Sequence, residues 1–243
     1  MGVSLEVSNL TKIYHNGRGI KDISFSVNEG DIFGLLGPNG SGKTTTMKII
    51  TGLSHSDNGS VQIFGKDVLN DREKALENIG CLIEAPATYD YISAEKNLEI
   101  AARYYSNVRA PRIEDILTQT GLFQYRKNKV RDFSLGMKQR LGLALALISD
   151  PKLIILDEPL NGLDIEGMVA VRKIIMKQAK SKGVAFLISS HLAHELELTC
   201  NKIAVLKMGH LIKSVFMNEA IEQCGTLEKY YLETSGANKD GAL

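Results

Sequence analysis

The chain has 243 residues, 44% of them hydrophobic and 23% charged, enough to bury a sizeable core as one large unit or two modest lobes. Lys and Arg total 29 against 28 Asp and Glu, a net charge of +1, which excludes the basic excess of a protein that coats nucleic acid. Cys81, Cys200 and Cys224 are odd in number and form no CxxC pair, which excludes a disulfide framework and points to a reducing compartment.

The first segment, MGVSLEVSNL, shows no basic stretch followed by an apolar one, so no secretory leader is read there, and no apolar run reaches the roughly 20 residues that span a bilayer. The expectation is a cytosolic protein unless something tethers it. The chain begins as β: Asn16-Gly17 marks a tight turn just after Tyr14, and Ile23, Phe25 and Val27 alternate. The turn Asn28-Glu29-Gly30 leads into an apolar strand over 32–36, and Asn58-Gly59-Ser60 reads as another turn. A further apolar run, Cys81-Leu82-Ile83, stops abruptly in Glu84-Ala85-Pro86.

From about 93 to 148 the pattern is helical, over 94–105, 113–120 and 135–148. The basic cluster Arg126-Lys127-Asn128-Lys129 with Arg131 reads as a solvated face rather than a nucleic-acid site. After Pro151 strands and helices alternate: 153–156, 166–180, 184–189, 192–198 and 203–207. That alternation predicts an α/β fold with a mainly parallel sheet covered on both faces, preceded by an antiparallel β part. Residues 1–86 and 151–235 would form the α/β core, 87–150 an inserted helical lobe, and 236–243, small and polar, a disordered tail.

The chemistry starts at Gly37-Pro38-Asn39-Gly40-Ser41-Gly42-Lys43-Thr44, which fits G-x-x-x-x-G-K-[ST] with an apolar strand before it and a helical pattern after it. Glycines let the backbone curl so that successive N–H groups face one phosphate, and the helix adds the positive end of its dipole. Lys43 should reach the β- and γ-phosphates and Thr44 should ligate Mg²⁺. Leu153-Ile154-Ile155-Leu156-Asp157-Glu158 is a buried-looking strand that ends in two acids, which need a cation or a task. Asp157 suits a Mg²⁺ partner and Glu158 the base that orients and deprotonates an attacking water. The strand over 184–189 leads to His191 in the same way, and ligands of open α/β sheets bind where strands end. His191, His194 and Glu195 also fall within one helical turn, a metal alternative that matches neither HExxH nor HxxEH. Ser134, ahead of a long apolar helix, reads either as an N-cap or, with the amides around Gly136, as an anion-seeking helix start. Tyr14 reads either as a core residue or as an aromatic platform.

In that order the motifs resemble, over nearly the whole chain, the nucleotide-binding subunit of an ABC transporter. The resemblance implies ATP and Mg²⁺ as cofactors, with residues 37–45, through Thr45, as the phosphate loop and Tyr14 stacked on adenine. It implies that Ser134 to Lys138 is the signature motif, Asn161 to Asp164 the D-loop, and His191 the switch histidine at the γ-phosphate. The signature usually reads SGG; here Leu135 replaces the first Gly while Ser134 and Gly136 remain. Glu84 falls where the family carries a Gln that touches Mg²⁺ and the water and leads into the helical lobe. A Glu there, with SLGMKQRL and the ending LEKYYL, resembles the ATPase subunits of lantibiotic-immunity and bacitracin-type exporters. Implied partners are a transmembrane permease and a second copy of the chain bound through ATP, with no nucleic acid. The implied location is the cytoplasmic face of the membrane. Weighed against this are a soluble ABC ATPase acting on DNA or ribosomes, whose long insertions or second cassette are missing here, and a P-loop kinase, which leaves Ser134, Gly136, Asp157, Glu158 and His191 without a purpose.

Overall fold

The alternating apolar residues of the N-terminal segment build a hairpin. In the computed structural model, which describes residues 2–106 and 108–236, β1 (Val3–Ile13) pairs antiparallel with β2 (Gly19–Asn28), whose Ile23, Phe25 and Val27 all face inward. The all-buried β3 (Ile32–Leu36) follows, then α1 (Lys43–Ile50), β4 (Asn58–Ile63), β5 (Lys66–Asp67) and the short α2 (Arg72–Leu76). Next come β6 (Ile79–Leu82) and three helices, α3 (Ala94–Ala102), α4 (Ala110–Gln119) and α5 (Leu135–Leu147). The chain then alternates through β7 (Leu153–Asp157), α6 (Ile165–Lys182), β8 (Ala185–Ser190), α7 (Ala193–Glu197), β9 (Lys202–Lys207) and β10 (His210–Phe216), and closes with α8 (Met217–Cys224) and α9 (Leu227–Ser235).

Two sheets result. A 4-stranded antiparallel sheet runs β2-β1-β4-β5, and a 6-stranded one runs β10-β9-β3-β8-β7-β6. In the larger sheet β9, β3, β8, β7 and β6 are parallel and only β10 is antiparallel. This is the expected α/β architecture: parallel strands must be covered on both faces. One face meets the small sheet, with Met47 and Ile50 of α1 filling the gap beside Leu5, Ile23 and Phe33. The other face lies under the helices, where Leu98, Ile116, Leu141 and Leu147 join Ile154, Phe186 and Ile203 in one continuous apolar cluster. The helical segment between 87 and 150 therefore shares its core with the sheet. Its helix α5 lies close enough to β6 that a Cβ on Gly80 would stand 1.9 Å from the Ala146 carbonyl oxygen.

Three expectations shift. β6 is an edge strand, so it alternates rather than being buried throughout: Leu82 is inside and Cys81 outside. The helix expected over 94–105 stops at Ala102, and Tyr104 beyond it is 85% exposed, with little burial to hold a further turn. Asn58-Gly59-Ser60, expected as a turn, instead opens β4. The basic cluster stays largely solvated, Lys127 71% and Arg131 62% exposed, with Arg126 and Lys127 paired to Glu95. Gly236 caps α9 with a φ of 69°, and the remainder of the expected tail, 237–243, lies outside the described residues.

Candidate functional site

Parallel strands deliver their ends to one edge, and the register says which residues meet there. Leu36 of β3 lies beside Ser190 of β8, Asp157 of β7 beside Ser189, and Leu82 of β6 beside Leu156. Gly37, Asp157-Glu158, His191 and Glu84 thus leave the sheet along the same rim. The Gly37 amide donates to the Ser190 carbonyl at 3.3 Å, pinning the start of the phosphate loop.

The loop itself curls through Gly40 and Gly42, with φ of 81° and 107°. Glycine is needed at 42 for space as well, since a Cβ would come within 2.4 Å of Ile20. Ser41 and Thr46 amides donate to Pro38 and Gly42 carbonyls, whereas the Gly40, Lys43, Thr44 and Thr45 amides find no acceptor among the described residues. Ser41 Oγ is buried and likewise unpartnered. These donors, a hydroxyl and the N-terminal end of α1 converge as a phosphate requires. Lys43, 5% exposed, donates to the carbonyls of Gly37 (2.8 Å) and Pro38 (3.3 Å).

The acids sit opposite. Thr44 Oγ1 donates to Asp157 Oδ2 at 2.8 Å, and Ser189 Oγ donates to Asp157 Oδ1 at 2.5 Å. Asp157 is 4% exposed and, among the described residues, has no ammonium or guanidinium in salt-bridge contact, only these two hydroxyls. A buried carboxylate without a cation is costly, and the pair Thr44–Asp157 fits Mg²⁺, which takes one or two protein oxygens and completes its shell with water and phosphate. Among the described residues no group of three His, Cys, Asp or Glu could hold a metal by itself. Glu158 has a φ of 49°, and its Oε2 lies 2.8 Å from His191 Nδ1. Its Oε1 faces Lys43 Nζ at 3.2 Å, a charge contact without hydrogen-bond alignment. Glu195, the third member of the metal alternative, instead pairs with Arg172 at 2.7 Å.

A cavity of about 330 Å³ opens over the loop, lined by Tyr14, Asn16, Arg18 and Gly19 of the hairpin, Asn39, Gly40 and Gly42 to Thr45, and Glu158. Tyr14, 40% exposed, is a wall of this cavity rather than a core residue. Asp57 fixes its approach by accepting from the Ile13 amide (2.7 Å) and Lys12 (2.6 Å). Glu84 does not enter the cavity. Its side chain is 63% exposed and its Oε1 meets Lys48 Nζ at 2.6 Å, which raises the Lys48 pKa against the opposing effect of burial. Ser134 and Gly136 are also absent from the cavity lining. Ser134 caps α5, accepting from the Met137 amide at 3.3 Å, and Leu135 packs over Gly162, where a Cβ would lie 2.7 Å from its Cδ2. Sequence reasoning missed Ser189, Lys48, Asp57 and Arg18. Only Arg18, beside the Asn16-Gly17 turn, carried a local signal.

Comparison with known proteins gives concordant results. The family described as ABC transporter matches residues 20–161. An uncharacterized ABC transporter ATP-binding protein of Bacillus subtilis, YhcH, is 43% identical over 87% of this chain and 70% of its own length. The bacitracin transport ATP-binding protein BcrA of Bacillus licheniformis is 37% identical over 88% of this chain and 70% of its own. The lantibiotic transport ATP-binding protein SrtF of Streptococcus pyogenes is 39% identical over 86% of this chain and 89% of its own. Among solved structures, an ATP-binding subunit of an ABC transporter superposes with a TM-score of 0.85 at 29% identity, over 95% of this chain and 99% of the other.

Proposed function

The chain belongs to the ABC transporter family as an ATP-hydrolysing, ATP-binding subunit, and on that premise we propose that it powers a membrane permease that exports a lantibiotic or related peptide antibiotic. The observation that carries the substrate class is the likeness to BcrA and SrtF, each extending over more than four-fifths of this chain. Glu84 and the SLG form of the signature, the two departures from the common family pattern, support the same reading. Subunits of this family work in pairs with transmembrane partners. No helix among the described residues is long and apolar enough to cross a membrane. In this reading the permease is a separate chain and the subunit acts from the cytoplasmic face of the membrane. The aromatic pair Tyr89 and Tyr91, both exposed with ring centroids 6.1 Å apart, follows the Glu84 turn and offers anchors for that partner.

The residues divide the work. Tyr14 stacks on the adenine. The amides of Gly37 to Thr45, with Pro38, Asn39, Gly40, Ser41 and Gly42 shaping the curl, hold the phosphates. Lys43 exchanges its bonds to Gly37 and Pro38 carbonyls for the β- and γ-phosphates. Mg²⁺, held by Thr44 and Asp157, would neutralise phosphate charge, and Glu84 would join them only by leaving Lys48. Glu158 takes a proton from water as it attacks the γ-phosphorus, and the bond to ADP breaks. His191, bonded to Glu158 through Nδ1, orients that carboxylate and faces the γ-phosphate. Ser134 and Gly136 serve the nucleotide of a second copy.

The test is a pair of assays in cells that also express its partner permease. Cells carrying the wild-type chain should survive bacitracin or a lantibiotic at concentrations that kill cells carrying Glu158→Gln. Equal survival, with Glu158→Gln shown to be inactive as an ATPase, removes the peptide-export reading and leaves the subunit with another cargo.

A further inference from the structure

We infer that Lys48 is a positioning residue for the Glu84 turn, tying the segment that enters the helical lobe to the helix that carries the phosphate loop. Lys48 stands one turn beyond Thr44 on α1, so the two share a face of the helix. Thr44 Oγ1 bonds Asp157 at 2.8 Å, and Lys48 Nζ bonds Glu84 Oε1 at 2.6 Å. One face of α1 therefore grips the ends of both β7 and β6.

The charges sort in the same way. Three carboxylates leave the sheet at this rim: Glu84, Asp157 and Glu158. Helix α1 answers with two ammonium groups, Lys43 against Glu158 and Lys48 against Glu84, and Asp157 keeps only hydroxyls. Without Lys48 the Glu84 carboxylate would face the rim with no counter-charge and repel both the other acids and a nucleotide phosphate. The backbone makes the same demand. Glu84 holds a φ of 63°, a left-handed conformation that a side chain rarely adopts unless neighbours hold it, and it lies beyond the last ladder pair of β6 at Leu82. Lys48 is the side chain that holds it. An exposed ion pair adds little to overall stability, so its effect belongs to where Glu84 sits.

The inference rests on the ATPase reading, and two readouts on the full chain keep them apart. Steady-state hydrolysis is measured for Lys48→Met, Lys48→Arg, Glu84→Gln and the double variant Lys48→Met/Glu84→Gln. Lys48→Met should lower kcat about tenfold with KM for ATP within about twofold, a coupling ordinary for contacting charges. Lys48→Arg should retain most of kcat, and the double variant should be no worse than Glu84→Gln alone. The second readout needs no nucleotide: amide hydrogen exchange over residues 83–88 should quicken in Lys48→Met and not in Lys48→Arg. Losses that multiply in the double variant, or unchanged exchange in Lys48→Met, overturn the proposal. A wild-type chain without ATPase activity would sink the ATPase reading, while exchange still decides the role of Lys48.

Discussion

Ser189 does more at this site than its sequence context announces. Its hydroxyl donates to Asp157 Oδ1 at 2.5 Å and accepts from the Glu158 amide at 2.9 Å, so one small side chain sets the posture of both acids. Ser189→Ala leaves two buried groups unpaired, each costing about 1–3 kcal/mol. We expect kcat to fall about tenfold or more while ATP affinity stays within about threefold, read by stopped-flow turnover and equilibrium nucleotide binding. The principal pair separates further. Lys43→Ala removes charge from the ground-state phosphates and should weaken ATP binding as well as turnover, whereas Glu158→Gln should spare binding and stop chemistry. Equal loss of affinity in both would contradict the roles given to them. The contrast with Ser189 explains what was legible beforehand. Lys43, Thr44, Asp157 and Glu158 announce themselves because phosphate and Mg²⁺ chemistry needs those types at fixed spacing after a strand. Ser189 inside a strand and Lys48 on a helix surface have no such spacing; only the parallel register and the i,i+4 face bring them to the site.

Helix α5 is capped by Ser134, the start of the proposed signature, and lies on β6, the strand that leads to Glu84. Their approach is set by Gly80, where a Cβ would meet the Ala146 carbonyl oxygen at 1.9 Å. Backbone cannot yield as a flexible side chain does, so Gly80→Ala should cost about 3 kcal/mol, seen as a lower urea midpoint with an unchanged slope. Beyond the end of α5, Asp150 joins α4 to α6 by accepting from Lys182 (2.6 Å) and Arg112 (3.2 Å). The Lys182 bond chiefly holds its carboxyl below the ordinary value of 3.8. A depressed folded-state value means that the contribution is present above about pH 4 and is lost as pH falls through the folded value. Asp150→Asn, which keeps the left-handed backbone at φ 57° tolerable, should therefore be less stable than wild type at pH 7 and indistinguishable from it near pH 2. A gap that persists at pH 2 would assign the effect to packing. Elements with strong periodicity or continuous apolar runs, such as α5, β3 and β7, could be read in advance. Mostly exposed β10 and short α2 could not, because neither buries enough of one face to leave a pattern.

On the proposed reading the chain holds two half-sites, which do not meet among its described residues. The phosphate loop, Asp157, Glu158, His191 and Tyr14 gather at the strand ends, while Ser134 and Gly136 sit at the start of α5 beside Leu163 and outside the cavity lining. Two copies related by a two-fold axis can bring each Ser134–Gly136 segment to the other's phosphate loop, so that ATP lies between them and joins the pair. Such an arrangement leaves no mark in one chain's contacts, which is why the family resemblance could imply the parts without the chain showing the joint. Molar mass by light scattering addresses that joint. With Mg²⁺ and ATP, Glu158→Gln should double in mass relative to the nucleotide-free chain, and adding Ser134→Arg should return it to the monomer. A Glu158→Gln chain that stays monomeric with ATP bound, or a pair that survives Ser134→Arg, would contradict the placing of Ser134 and Gly136 on a partner's nucleotide.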